Sequence, residues 1–334
     1  MKKLEFLLVL CLLQLSCASQ VKEKMNGVSF VASREEVAQK NIQEVLNVHA
    51  NYAAVMPLGF MRNINSPEII FDTERQWFGE TSKGAEQYIA LLQKNGIKVM
   101  LKPQIWIRHG AFTGTLEMNS SEDWNALEAS YEKFILAYAE LAARTKIVLF
   151  CIGTELEQFV KNRPLYWKDL IKKIRKVYKG ELTYAANWDE YPRISFWEEL
   201  DYIGIDAYFP LSQEQTPSVE QLKIGWQKWK TEIESLSKEK NKSIVFTEYG
   251  YRSMDFTAKK PWLVDRIDKK VNLKGQVNAK KAIFEEFWKE DWFAGGYVWK
   301  WFVHHDRAGG SADNRFTPQN KPAQEVIKEF YRKN

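Results

Sequence analysis

The chain has 334 residues, with 48 Lys and Arg against 43 Asp and Glu, a formal net charge of +5. An apolar share of 45% with 27% charged residues is the mix of a globular chain with a sizeable core, and the length rules out a disulfide-stapled mini-protein. The basic surplus is small and scattered, not gathered on one face, so no nucleic-acid partner is expected. Aromatic residues are abundant: 13 Trp, 14 Tyr and 19 Phe. A core absorbs the Phe, whereas so many Trp point to flat apolar platforms at an accessible place.

Lys2 and Lys3 precede a Leu-rich run, Leu4 to Leu15, broken by Glu5 and Gln14 and ending at Ser16-Cys17-Ala18. The run is too short to span a bilayer permanently and reads as a secretory signal. Two cleavages compete: lipidation of Cys17 as the first mature residue, and ordinary cleavage at Ser16-x-Ala18. A Cys at the end of the apolar run favours the first. The expected organisation is a signal and lipoprotein segment over residues 1–17 and one domain over residues 18–334. The expected location is the envelope of a bacterium, periplasm or cell surface, with membrane attachment only through a lipid on Cys17. Cys151 is then left alone, so no disulfide framework is expected.

In the body, Ser33-Arg34-Glu35-Glu36 has the form of a capping box and predicts a helix with Ile42, Val45, Leu46 and His49 on one stripe. Ser82 caps a second predicted helix with Ala85, Tyr88, Ile89 and Leu92, stopped by Asn95-Gly96. Ser120-x-x-Asp123 opens a third, with Trp124, Leu127, Tyr131, Phe134, Ile135, Tyr138 and Leu141 at helical spacing. Pro164 starts a fourth with Trp167, Leu170, Ile171, Ile174 and Val177, ended by Gly180. Ser218-x-x-Gln221 opens a fifth with Leu222, Trp226, Trp229, Ile233 and Leu236. Asn278 caps a sixth with Ile283, Phe284, Phe287 and Trp288.

Eight short apolar runs separate these helices: Gly27–Ala32, Tyr52–Leu58, Ile97–Pro103, Ile147–Gly153, Leu182–Asn187, Tyr202–Ala207, Ile244–Glu248 and Gly296–Trp301. Most are apolar on both faces, the mark of buried parallel strands. Eight such strands alternating with helices predict an α/β fold, a single-domain (β/α)8 TIM barrel. An open doubly wound sheet is the runner-up, but no strand leads into a G-x-G-x-x-G turn or a phosphate loop, so no cofactor cradle is seen. Long segments 59–81, 104–121 and 250–274 each follow a strand and are expected to form the active-site loops.

Two strands end in glutamate. Period-two alternation places Leu149, Cys151, Gly153 and Glu155 on one face of the fourth strand, and Ile244, Phe246 and Glu248 on one face of the seventh. With both faces inward, the carboxyl groups meet across the barrel mouth. Two opposed carboxyl groups in a water-poor pocket serve glycoside hydrolysis, one as acid, the other as nucleophile or base.

These contexts resemble the retaining glycosidases built on (β/α)8 barrels. More narrowly, Gly27-Val28-Ser29-Phe30-Val31, Leu101-Lys102-Pro103-Gln104-Ile105-Trp106, Gly153-Thr154-Glu155-Leu156-Glu157, Ile205-Asp206-Ala207-Tyr208-Phe209-Pro210, Thr247-Glu248-Tyr249-Gly250-Tyr251-Arg252-Ser253 and Gly296-Tyr297-Val298-Trp299 resemble glycoside hydrolase family 113, whose characterised members are β-mannanases. The resemblance implies Glu155 as acid/base, Glu248 as nucleophile, Tyr208 as hydrogen-bond donor to the nucleophile, Trp299 as floor of the subsite at the cleaved bond, and Arg62 near the nucleophile. It departs at Thr154, where many members of the wider retaining clan have an Asn that contacts the sugar 2-hydroxyl; Asn187 is a candidate substitute.

The activity implied is a retaining endo-β-1,4-mannanase without a cofactor, acting on a β-linked oligo- or polysaccharide. Two alternatives stay open: another β-linked hexose glycan or an exo-acting mode, and an inactive glycan-binding barrel. Asp206 is read as a hydrogen-bonding support. Lys102 is read as a substrate contact or a carboxylate partner. Trp106 and Trp188 stand evenly between sugar platforms and loop packing. His304-His305, without a third spaced ligand, is not read as a metal site.

Overall fold

The computed structural model describes residues 23–263 and 270–333. The signal and lipoprotein segment, Cys17 included, lies outside the described residues. Eight parallel strands close a barrel: β1 (Met25–Phe30), β2 (Tyr52–Val55), β4 (Lys98–Leu101), β6 (Leu149–Thr154), β7 (Glu181–Asn187), β8 (Tyr202–Ala207), β9 (Ser243–Tyr249) and β10 (Phe293–Trp301), which pairs back onto β1. Two further short strands, β3 (Leu58–Met61) and β5 (Gln104–Ile107), form a separate parallel pair beyond the ends of β2 and β4. Most of this pair falls in segments 59–81 and 104–121, which the sequence predicts as loops.

The helices are α1 (Gln39–Asn47), α2 (Ser82–Lys94), α3 (Ser121–Thr145), α4 (Glu157–Asn162), α5 (Pro164–Val177), α6 (Val219–Lys240), α7 (Leu273–Phe287) and α8 (Pro322–Lys333). No α-helix stands between β7 and β8; two single 3-10 turns, Tyr191–Arg193 and Trp197–Glu199, cover that sector. The fold is therefore a (β/α)8 TIM barrel with one helical layer position reduced.

Caps decide where the helices begin. Ser120 Oγ accepts the Asp123 N–H (3.0 Å), and Ser218 Oγ and Gln221 close a reciprocal box, as the sequence predicts. Elsewhere the start moves. Thr81, not Ser82, caps α2 by accepting from Gly84 N–H, while Ser82 turns to Asp72. Asn272, not Asn278, caps α7; Asn278 lies inside that helix and bonds Pro217 O. Ser33 caps nothing. Its hydroxyl meets Tyr88 OH and Glu35 O, and α1 begins at Gln39, so His49 falls beyond the helix end in a left-handed conformation.

Two apolar layers follow from the strand period. Met25, Tyr52, Met100, Leu149, Cys151, Ala185, Tyr202, Val245 and Tyr297, at least one from every barrel strand, pack together in the lumen. Gly27 leaves room for Tyr297, whose ring a Cβ there would meet at 2.4 Å. Outside, the opposite strand faces pack on the helices. In α3 the predicted stripe from Leu127 to Leu141 is buried, and each such side chain contributes about 1.5–3 kcal/mol before entropy is subtracted. The lumen is thus plugged below, and the buried charged side chains Lys102, Asp206 and Glu248 gather at the carboxyl ends of the strands.

Candidate active site

At the end of β9 the alternation fails. Val245 joins the lumen, whereas Ile244 and Phe246 face outward, Phe246 against Phe287 at 4.9 Å. The sequence expectation that Ile244, Phe246 and Glu248 share an inward face is corrected. Pairing with β8 runs Ile205 to Phe246 and then Asp206 to Glu248, so Thr247 is an extra residue. This bulge turns Glu248 inward, and Thr247 also reaches in, donating to Asp206 Oδ1 at 2.7 Å.

Three donors converge on Glu248. Lys102 Nζ lies 2.6 Å from Oε1, Gln104 Nε2 lies 3.0 Å from the same oxygen, and Tyr208 OH donates to Oε2 at 2.6 Å. Lys102 also bonds both Asp206 oxygens, at 3.0 and 3.1 Å. Lys102 and Asp206 are fully buried. Burial pulls the Lys102 ammonium down, but the Asp206 and Glu248 charges outweigh it and hold it raised, hence charged. Burial, then the charges of Glu248 and Asp206, keep Tyr208 far above its ordinary value, so its hydroxyl is a donor. Burial first and the Glu248 charge second push Asp206 up, against Lys102 and Thr247.

Glu155 follows β6 across a second irregularity. Pairing with β7 slips between Cys151 and Thr154. Gly153 does not share the inward face with Leu149 and Cys151: a Cβ there would meet Trp167, Tyr131 and Tyr184, which belong to the outer layer. Glu155 itself is left-handed, with φ of 50°, uncommon for a residue with a side chain. Burial, then the Asp206 and Glu248 charges, raise its carboxyl well above the ordinary range. One glutamate is thus ringed by donors and the other favoured in its neutral form, an arrangement that suits the two carboxyl groups to different tasks.

A cleft of about 710 Å3 opens beside this cluster, lined among others by Trp77, Gln104, Trp106, Trp299 and Phe302. Trp106 is 52% exposed and Trp77 44%, large rings at the cleft, with the Arg34 guanidinium 5.3 Å from the centre of the Trp77 ring. The Lys300 ammonium lies over the Trp299 and Phe302 rings, at 5.4 and 4.9 Å.

Of the residues singled out in the sequence, Glu155, Glu248, Lys102, Asp206 and Tyr208 come together at the mouth, and Trp106 and Trp299 line the cleft. Arg62 does not join them; its side chain is 73% exposed and pairs with Glu68, and the cation beside Glu248 is Lys102. Trp188 stacks on Trp262 at 4.7 Å and packs edge-on against Trp229, so one ring face is covered. Asn187 spends its side chain on its own turn, bonding Asp189 Oδ1 and the Trp188 N–H. The Thr154 hydroxyl lies beside the Cys151 thiol and has no other partner. His304 pairs with Glu35, and His305 with Gln324. The sequence does not mark Gln104 as a donor to Glu248 or Thr247 as a donor to Asp206, although both lie in the runs that carry the family resemblance.

The sequence profile described as Glycoside Hydrolase Family 113 matches residues 30–321. The chain belongs to glycoside hydrolase family 113. It is accordingly a glycoside hydrolase. No curated protein matches it. Among solved structures it is similar to the family 113 β-mannanase of Alicyclobacillus acidocaldarius in complex with ManMIm, with a TM-score of 0.80 and 22% identity over 93% of this chain and 97% of that one. It is also similar to another family 113 β-1,4-mannanase complex, at TM-score 0.80 and 22% identity over 93% and 100%. A β-glucuronidase from Ruminococcus gnavus is more distant: TM-score 0.59, 13% identity, 92% of this chain and 50% of that one. At these identities the structural likeness speaks for the fold; family membership rests on the profile match.

Proposed function

We propose that the protein is a retaining endo-β-1,4-mannanase that works by double displacement. The observation that carries this reading is the division of the glutamates: Glu248 among Lys102, Gln104 and Tyr208, and Glu155 raised by burial and by the Asp206 and Glu248 charges. Glu248 attacks the anomeric carbon while Glu155 donates its proton to the leaving oxygen. Formation of the glycosyl ester removes the Glu248 charge, which lowers the Glu155 pKa and lets the same carboxyl take a proton from water. Substrate preference is supported by family membership and by likeness to two β-mannanase structures. The cleft borders Gln104, which holds the nucleophile, so it suits the glycone arm, with Trp299, Trp106 and Trp77 as faces for sugar C–H bonds.

The test is hydrolysis of β-1,4-mannan oligosaccharides followed by proton NMR. The first product is expected to be the β anomer; an initial α anomer would overturn the double displacement, and no new reducing ends would overturn the substrate. The Glu248→Ala variant with azide is expected to turn an activated aryl β-mannoside into the α-azide, and Glu155→Ala into the β-azide; exchanged products would reverse the two roles. The N-terminal pattern around Cys17 supports a lipid anchor as a second part of the proposal, checked by palmitate labelling of wild type against Cys17→Ser.

A further inference from the structure

Glu190 is a carboxylate at full burial, and none of its hydrogen bonds comes from a cation. Oε1 accepts from Tyr184 OH (2.8 Å) and Oε2 from the Asn187 N–H (3.0 Å). The nearby Arg193 is occupied by Glu157 and the Asp189 carbonyl. A buried acid held by two neutral donors is expensive in stability, so its surroundings hold the reason for its presence. The Tyr184 hydroxyl, its hydrogen directed at Glu190, accepts the backbone N–H of Leu156 at 2.7 Å. Leu156 follows Glu155 directly, and the Glu155 N–H goes to Ala185 O at 2.8 Å. Two adjacent residues of β7, Tyr184 and Ala185, therefore grip both peptide N–H groups around a left-handed residue. Such a conformation costs about 1–3 kcal/mol and persists only where its surroundings over-determine it. The Tyr184 ring is itself fixed edge-on against Trp167 and Phe196, at 5.7 and 5.6 Å.

We propose that Tyr184 and Glu190 are positioning residues that, through the Leu156 N–H, hold the Glu155 carboxyl where it meets the leaving oxygen. Glu190 fixes the direction of the Tyr184 hydroxyl, which leaves the oxygen lone pair for Leu156. Without that acceptor the buried Leu156 N–H is unpaired, the kink relaxes, and the acid is displaced. The inference rests on the reading of Glu155 as the acid.

Leaving-group dependence tests it, because only substrates with poor leaving groups need the proton. In the full chain, Tyr184→Phe keeps the ring and removes the hydroxyl. The expected result is a fall in kcat/KM of about tenfold or more on mannotriose, less than the roughly 100- to 10,000-fold of a general acid removed outright because the carboxyl is displaced and not lost, with 2,4-dinitrophenyl β-mannoside changed less than about threefold. Glu190→Gln is expected to split the two substrates in the same direction. Equal losses on both substrates would mean a structural role and overturn the proposal, as would no loss on either. Wild-type inactivity on both β-mannosides would instead sink the proposed function, which separates the two failures.

Discussion

Lys102 brings one positive charge to two buried carboxylates, so the site cannot also hold Glu155 ionised cheaply. Burial and the Asp206 and Glu248 charges keep that acid protonated in the folded chain, whereas in the unfolded chain it ionises near 4.5. The sign of the linkage follows. Above about pH 4.5 the native state binds the proton that the unfolded state loses, so stability falls as pH rises toward the raised folded pKa. A neutral amide escapes this. Glu155→Gln is expected to match the wild type in thermal melts at about pH 4 and to exceed it increasingly through neutrality, while losing turnover of unactivated substrates. A Gln variant less stable than wild type at pH 7 would contradict the assignment. At this scale the two glutamates and Asp206 are legible because polar residues at the ends of apolar strands stand out, whereas Tyr208 enters through the family resemblance and the sequence leaves Lys102 between a substrate contact and a carboxylate partner. Arg62 misled because sequence shows that it follows the second strand but not that the chain turns its side chain to solvent. Gln104 does not stand out in the sequence, because a single amide carries no chemical signal until its partner is known.

Strand ends proved harder to read than strand cores. The eight runs predicted the barrel because burial on both faces leaves an apolar signature, and the lumen and outer layers obey period two along most of their length. At the carboxyl ends of β6 and β9 that period breaks, and there the two glutamates sit. A bulge adds one residue and reverses which side faces inward; nothing in a run such as Ile244-Val245-Phe246-Thr247-Glu248 announces it. The β3 and β5 pair was missed because four-residue strands inside long polar segments lack a period. Gly153 makes the β6 irregularity testable. A Cβ there would come within 2.9 Å of Trp167 and Tyr131 and 3.0 Å of Tyr184, so the outer rings must shift. Gly153→Ala is expected to lower stability by about 1–3 kcal/mol, the usual range for overpacking, in urea unfolding. Because Tyr184 is among the displaced rings, kcat/KM on mannotriose is expected to fall further than on the dinitrophenyl substrate. An unchanged midpoint would show that the strand absorbs the methyl group by moving away from the helices.

Buried ionisable groups are distributed through the whole molecule, and one has no acid partner among the described residues. Lys280, on α7, is fully buried against the outer face of β9. Among the described residues no carboxylate pairs with it; its ammonium stands 4.4 Å over the Tyr249 ring and 3.4 Å from the Tyr249 carbonyl. Those weak contacts do not replace hydration, and burial lowers its pKa well below the ordinary 10.5. Here the sign is opposite to that of Glu155. Between the depressed folded value and 10.5 the unfolded chain binds a proton that the native chain does not, so stability rises with pH across that window. Tyr249 continues the barrel-closing chain: its hydroxyl meets Tyr331 OH on α8 at 2.7 Å, and Tyr331 reaches the Gly27 carbonyl on β1 at 2.8 Å. Lys280 thus lies behind the strand that carries Glu248, yet outside the site. Methionine has a similar length and no charge to desolvate. Lys280→Met is expected to raise Tm near pH 7, with the gain shrinking as pH approaches about 10.5, where the unfolded lysine also loses its proton. A gain independent of pH would mean that improved packing, not relief of a buried ammonium, is responsible; a loss of stability would mean that the charge is retained and that the Tyr249 ring and carbonyl compensate for its burial.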